Sequence, residues 1–119
     1  MQVSAKSKYV RVSPYKLRPI VNIIRGKTVL ESQAYLRTHM TKRVKPVIKV
    51  LDCAYANAKN LNKQAGGPEE FIIKKIFVDQ GPVIKYFKPA AMGRAAMQRR
   101  RLSQITVVLE KKTIKEQER

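Results

Sequence analysis

From residue 80 to residue 109 the chain carries no aspartate or glutamate. Within residues 80–104 six side chains are cationic: Lys85, Lys88, Arg94, Arg99, Arg100 and Arg101. A strand-like run, residues 71–78, precedes this stretch, and another, residues 105–109, follows it. A segment held at both ends by strands, with small residues near its middle, predicts a long β-hairpin or ordered arm. Its composition is too polar and too cationic to build a core of its own, so an outside partner must order it. The partner that such charge selects is a polyanion.

The rest of the chain points the same way. At 119 residues it is long enough for one domain, and 44% hydrophobic residues suffice for a small core. A formal net charge of +18 repels itself unless dense negative charge surrounds it. Nucleic acid fits best, because counterion release rewards each Lys or Arg placed near a phosphate. A membrane surface would call for an amphipathic basic helix rich in Trp or Phe, whereas this chain has no Trp and three Phe. No apolar run approaches the roughly 20 residues that span a bilayer. Residues 1–10 lack the apolar core of a secretory signal, and Cys53 is the sole cysteine, which excludes an intrachain disulfide or an all-cysteine metal site. A cytosolic or organelle-matrix protein is expected.

Residues 2–12 read as a first strand, with Val3, Ala5 and Tyr9 on one face and Lys6 and Lys8 on the other. Ser13-Pro14 marks a helix start, Ser as a side-chain N-cap and Pro at the first helical position. Leu17, Ile20, Val21 and Ile24 then recur at helical spacing and Gly26 supplies a stop. Pro19 falls inside this helix and predicts a kink or a tightened first turn. Thr28 and Glu31 match a capping box for a second helix reaching about residue 39, with Leu30, Ala34, Tyr35 and Leu36 as its apolar positions. The longest helix is expected over residues 41–60, with Val44, Val47, Ile48, Leu51, Tyr55 and Ala58 on one face. Pro46 would draw its start forward, and Cys53 reads as a small core residue. Residues 61–70 form a polar loop, 71–78 a strand, 79–82 a turn or bulge, and 105–109 the return strand. These elements predict an α+β fold in which three helices pack on a small antiparallel sheet and a long β-hairpin projects from it. One domain spans residues 1–112, and the charged tail at 113–119 is expected to be disordered.

Catalysis finds no footing. Glu69 and Glu70 are adjacent, so their side chains diverge, and the remaining acids show no general acid/base spacing. His39, the single histidine, has no cluster of ligands at metal-binding spacing and reads as a surface residue. Gly66-Gly67 lacks the Lys-Ser/Thr ending and following helix of a phosphate loop. No metal, cofactor, small-molecule substrate or enzymatic activity is implied.

The cations are better organised. On a strand, successive side chains alternate in direction, so Arg99, Arg100 and Arg101 present charge to both sides of a thin ribbon. A ribbon threaded between RNA helices needs that; a solvated sheet face does not. Tyr86 and Phe87 suit either stacking on unpaired bases or packing at the hairpin base. Ala90, Ala91, Gly93, Ala95 and Ala96 keep the tip slender. A second acid-free region, residues 1–30, holds Lys6, Lys8, Arg11, Lys16, Arg18, Arg25 and Lys27. Two such regions on one domain imply several RNA segments gripped at once, by shape and phosphate more than by base sequence. A DNA-architectural protein with a basic β-arm in a groove is the alternative.

Several stretches carry a family resemblance. Ser13-Pro14-Tyr15-Lys16-Leu17-Arg18, Ile24-Arg25-Gly26-Lys27 and Ala54-Tyr55-Ala56-Asn57-Ala58 are followed by Lys75-Ile76-Phe77-Val78-Asp79-Gln80-Gly81-Pro82. Pro89-Ala90-Ala91-Met92-Gly93-Arg94-Ala95 and Ile105-Thr106-Val107-Val108 complete the series. In order and spacing, from about residue 5 to residue 109, these resemble the large-subunit ribosomal protein L twenty-two family of the bacterial or organellar type. The resemblance implies a structural rRNA-binding protein that takes part in assembly of the large subunit. It implies a globular part on the ribosome surface among neighbouring ribosomal proteins, and a hairpin reaching inward past several rRNA domains. The tip, carried over as Lys88, Pro89, Ala90, Ala91, Met92, Gly93 and Arg94, would line the nascent-peptide exit tunnel. Lys85, Arg94 and Arg99 to Arg101 would lie on rRNA, and the family's macrolide sensitivity would map around Ile84, Lys85 and Tyr86. Pro19, Ala90 and Met92 depart from the family pattern, the last two making this tip less cationic than usual.

Overall fold

The computed structural model describes residues 2–39, 41–61 and 67–111. Its elements run β1 (Gln2–Val10), α1 (Pro14–Ile24), α2 (Val29–Thr38), α3 (Val44–Leu61), β2 (Phe71–Pro89) and β3 (Ala95–Lys111), with a 3-10 turn at Pro68–Glu70. The strands form one antiparallel sheet in the order β1-β3-β2, so the last strand lies in the middle. This is the expected α+β architecture, with helices on one sheet face and a hairpin that extends the longest dimension to 66 Å.

The core forms where the apolar periods of helices and strands meet. β3 contributes Ile105, Val107 and Leu109, alternating with half-buried Thr106 and Val108. β2 adds Phe71, Ile73, Ile76 and Val78, and the shift from odd to even positions reflects a register irregularity between Ile73 and Lys75. Against this face α1 buries Leu17, Ile20, Val21 and Ile24, and α3 buries Val44, Val47, Val50, Leu51, Ala54 and Ala58. Each large aliphatic side chain so removed from water contributes about 1.5–3 kcal/mol.

Several local expectations need correction. β1 ends at Val10, and Tyr9 does not share the buried face of Val3 and Ala5. A bulge between Ser7 and Val10 gives Tyr9 a φ of 60°, turns it to solvent and puts Val10 in its place. Ser13 is the N-cap of α1 without a side-chain cap bond; its carbonyl accepts from the Lys16 N–H instead. The helix is unbroken through Pro19, which lies on its exposed side. Thr28 does cap α2, its Oγ1 accepting from the Glu31 N–H at 3.2 Å. The buried face of α2 is Val29, Ser32 and Leu36, however, leaving Leu30 and Ala34 exposed. Cys53 is exposed, because it lies off the stripe defined by Val47, Leu51 and Ala58. Lys111 belongs to β3, and the predicted tail at 113–119 lies outside the described residues.

The connection after α1 closes the outer edge of β2. Gly26, with φ +82°, donates to the Ile73 carbonyl at 3.1 Å, and Ile73 donates to the Lys27 carbonyl at 3.0 Å. Thr28 bridges to Ile72. Farther along, Arg25 Nη2 donates to the Ile76 carbonyl at 2.6 Å and Arg18 Nη2 to the Val78 carbonyl at 3.3 Å. An edge strand is a template for unwanted pairing, and here backbone and guanidinium groups cover it up to the point where the hairpin leaves the core.

Candidate nucleic-acid interface

Beyond Val78 the ribbon formed by β2 and β3 leaves the helices behind. A register irregularity between Gln80 and Val83 marks the departure. There Gly81 approaches the Leu102 backbone so closely that a Cβ would lie 3.1 Å from its carbonyl carbon. No residue between 79 and 101 is buried, and yet the strands stay in register from Val83↔Arg101 to Pro89↔Ala95. Such a ribbon has backbone pairing but no core, as its composition demands.

Directly opposed residues on antiparallel strands share a face. One face therefore carries Lys85 opposite Arg99, then Phe87 opposite Met97; the other carries Ile84 opposite Arg100, then Tyr86 opposite Gln98. The prediction that both faces are cationic holds. Placing Lys85 directly across from Arg99 is unfavourable in the free protein, since like charges in that position repel. Phe87 is 72% exposed and Tyr86 45%, so neither packs into the hairpin base. Aromatic rings interleaved with cations that make no ion pair among the described residues suit stacked bases and phosphates.

At the tip, the Ala90 N–H donates to the Arg94 carbonyl at 2.6 Å, closing a turn through Met92 (φ 61°) and Gly93 (φ 72°). Glycine enters that left-handed region without penalty, whereas methionine incurs about 1–2 kcal/mol. Met92 is 96% exposed. Lys88 and Arg94 flank this narrow end, and both are exposed.

At the hairpin base the Ser103 hydroxyl donates to the Val12 carbonyl at 2.8 Å, fixing β3 to the segment entering α1. Tyr15 of α1 has the Arg18 guanidinium 5.4 Å from its ring centroid and that of Arg101 5.6 Å away. The base of the arm is thus braced by the globular part, and Arg101 is half-buried in consequence.

Cations of the first acid-free region divide into two groups. Lys6, Lys8, Arg11 and Lys16 are exposed and make no ion pair among the described residues. Arg18 and Arg25 are exposed too, but their guanidinium groups hold carbonyls of β2, and Lys27 lies 5.7 Å from the centre of the Tyr35 ring. Among the described residues, carboxylates pair with lysine only in Lys74–Glu110 at 3.5 Å and Lys111–Glu70 at 3.9 Å. Both lie at the opposite end of the sheet from the hairpin tip, as the strand register requires. Among the described residues no ion pair neutralises the hairpin's positive field.

Sequence reasoning overlooked a third set. Arg37, Lys42 and Lys45 line an open groove where α2 meets α3, and Lys45 and Lys49 line another with Lys8 and Arg11. Residues 32–51 contain no acid, which is the signal that could have found them. His39, at the first groove, shares a hydrogen bond between Nδ1 and the Thr41 hydroxyl at 3.0 Å. Among the described residues no three His, Cys, Asp or Glu side chains stand close enough to hold a metal, and no helix is long and apolar enough to cross a membrane.

Comparison with known proteins identifies relatives over nearly the whole chain. The family model described as ribosomal protein L22p/L17e matches residues 5–110. The chain is similar to the large ribosomal subunit protein uL22 of Desulforamulus reducens, 46% identical over 112 residues that cover 94% of this chain and 97% of that protein. Its similarity to the uL22 protein of Syntrophomonas wolfei is 40% over 117 residues, 97% of this chain and 100% of the relative. The corresponding protein of a Roseiflexus species is 41% identical over 110 residues, 92% and 96% of the two chains.

Proposed function

This chain belongs to the ribosomal protein L22p/L17e family, and we propose that it is a structural constituent of the large ribosomal subunit that grips large-subunit rRNA with its hairpin and basic globular surface. The observation that carries this reading is the hairpin itself: a registered ribbon without a buried residue from 79 to 101, cationic on both faces and free of acids beyond Asp79. In the free protein Lys85 and Arg99 oppose each other, and between phosphates that cost becomes a gain. Ordering of the arm and docking of the RNA are coupled, so part of the binding energy is spent on fixing the ribbon. The function has no catalytic step.

The finer roles rest on the family. The tip, residues 88–94, lines the nascent-peptide exit tunnel. The arm meets several rRNA domains during assembly, and the globular part neighbours other ribosomal proteins at the subunit surface. The bacterial sources of the similar proteins support a ribosome in the cytoplasm of a bacterium.

The test is binding of the full chain to a large-subunit rRNA transcript and to duplex DNA of matched length, each across a salt series. We expect tighter binding to the rRNA. The triple variant Arg99→Ala, Arg100→Ala, Arg101→Ala lowers the salt slope by roughly 1 for each phosphate that is no longer neutralised, with helical circular dichroism intact. Preference for duplex DNA, together with bending of that DNA, would replace this reading with the architectural one.

A further inference from the structure

Tyr9 is the residue of β1 whose backbone departs furthest from a strand. Its φ of 60° is a conformation that a bulky L residue adopts only when its surroundings impose it, and such positions concentrate at functional sites. The bulge between Ser7 and Val10 sends the ring outward, where it is 62% exposed, although the alternation of the strand would have buried it. An open cavity of about 270 Å³ lies beside it, between the end of β1 and the first turns of α3. Four cations line that cavity with the ring: Lys8 and Arg11 from the β1 end, Lys45 and Lys49 from α3. None of the four has a carboxylate partner among the described residues. Both contributing stretches, residues 1–30 and 32–51, are acid-free.

Resting on the reading that this chain binds large-subunit rRNA, we propose that the notch holds an unpaired RNA nucleotide, its base against the Tyr9 ring and the flanking phosphates among Lys8, Arg11, Lys45 and Lys49. An aromatic plane bordered by cations is the combination that single-stranded nucleic acid requires, since every base has a face to stack and every nucleotide a charge to neutralise. A carboxylate-rich peptide would use the cations but would leave the exposed ring without a role. Val10 pairs with Ser103 at the hairpin base, so the notch adjoins the root of the arm. One RNA strand leaving the ribbon can therefore continue into it.

Tyr9→Gly separates binding from folding. Glycine accepts a φ of 60° freely, so this variant melts at the same temperature as the parent or higher. Its affinity for a large-subunit rRNA transcript falls about tenfold or more, the effect expected for one unstacked base, whereas Tyr9→Phe keeps parental affinity. The double variant Lys45→Ala, Lys49→Ala lowers the salt slope by roughly 1.4, at about 0.7 for each phosphate of a single strand. Parental affinity and slope in Tyr9→Gly and Lys45→Ala/Lys49→Ala, with weakened binding in Lys85→Ala/Arg99→Ala, would overturn the notch and leave the rRNA reading standing. No effect from any of these variants, the hairpin pair included, would overturn both. Binding of a poly-Glu peptide that the notch variants abolish, with rRNA binding untouched, would make the notch a protein-docking site and overturn the nucleotide assignment.

Discussion

The Arg25 guanidinium donates to the Ile76 carbonyl at 2.6 Å across 51 residues of sequence, and with Arg18 on Val78 it fastens α1 to the outer edge of β2. Two side chains that composition assigns to RNA thus have a structural task. Arg25→Ala should destabilise the protein by about 1–2 kcal/mol, since it removes a hydrogen bond from a charged donor to a part-buried carbonyl. A melting temperature lower by roughly 3–8 °C checks this. The salt slope of rRNA binding should change far less than in Arg99→Ala. A large change in slope with unchanged melting would assign Arg25 to the RNA instead.

Lys85 opposes Arg99 on the ribbon. Arg99→Glu converts repulsion to attraction and should stabilise the free hairpin by about 0.2–1 kcal/mol. It should also weaken rRNA binding, because a phosphate then meets a carboxylate. Amide exchange in residues 83–89 reads the first effect and filter binding the second. The two measurements are expected to move in opposite directions.

The globular part should fold without the arm. No side chain between residues 79 and 101 is buried, so replacing residues 84–100 with an Asn-Gly turn leaves the core packing whole. Helical circular dichroism and a single cooperative melting transition should survive this deletion, while high-salt-resistant rRNA binding disappears. A molten, non-cooperative deletion variant would show that the ribbon also organises the core.

The two helix caps differ in kind. Thr28 accepts from the Glu31 N–H, whereas Ser13 makes no side-chain cap bond. Thr28→Ala should cost about 1 kcal/mol, and Ser13→Ala less than about 0.5 kcal/mol. Chemical denaturation of both variants provides the comparison.

How far the sequence reveals this depends on the range of the interaction concerned. The spacing of Leu17, Ile20, Val21 and Ile24 specifies α1, and the alternation of Ile105, Val107 and Leu109 specifies the centre of the sheet, because each pattern records burial by the element's own period. A bulge breaks that logic. One extra residue reverses the phase of a strand, so Tyr9 and Val10 exchange faces with no local sign. Cys53 misleads for another reason: the general preference of cysteine for burial is weaker than the helical phase set by Leu51 and Ala58. The hairpin is legible as acid-free charge between two strands, yet the brace of Tyr15 between Arg18 and Arg101 joins residues that no local pattern connects. Lys45 and Lys49 resemble the solvated side of a helix until the bulge of β1 brings Lys8 and Arg11 beside them.

Sedimentation separates an integral ribosomal component from a loose polyanion binder. The tagged 119-residue chain would be expressed in a bacterial host, its lysate run through a sucrose gradient, and the large-subunit fraction washed with high salt. We predict stoichiometric co-sedimentation with the large subunit that survives the wash, the result expected if arm and globular surface both contact phosphates and the hairpin is threaded between RNA segments. Protein left at the top of the gradient, or stripped by modest salt, would rule out an integral place in the subunit and mark the charge as loose polyanion binding.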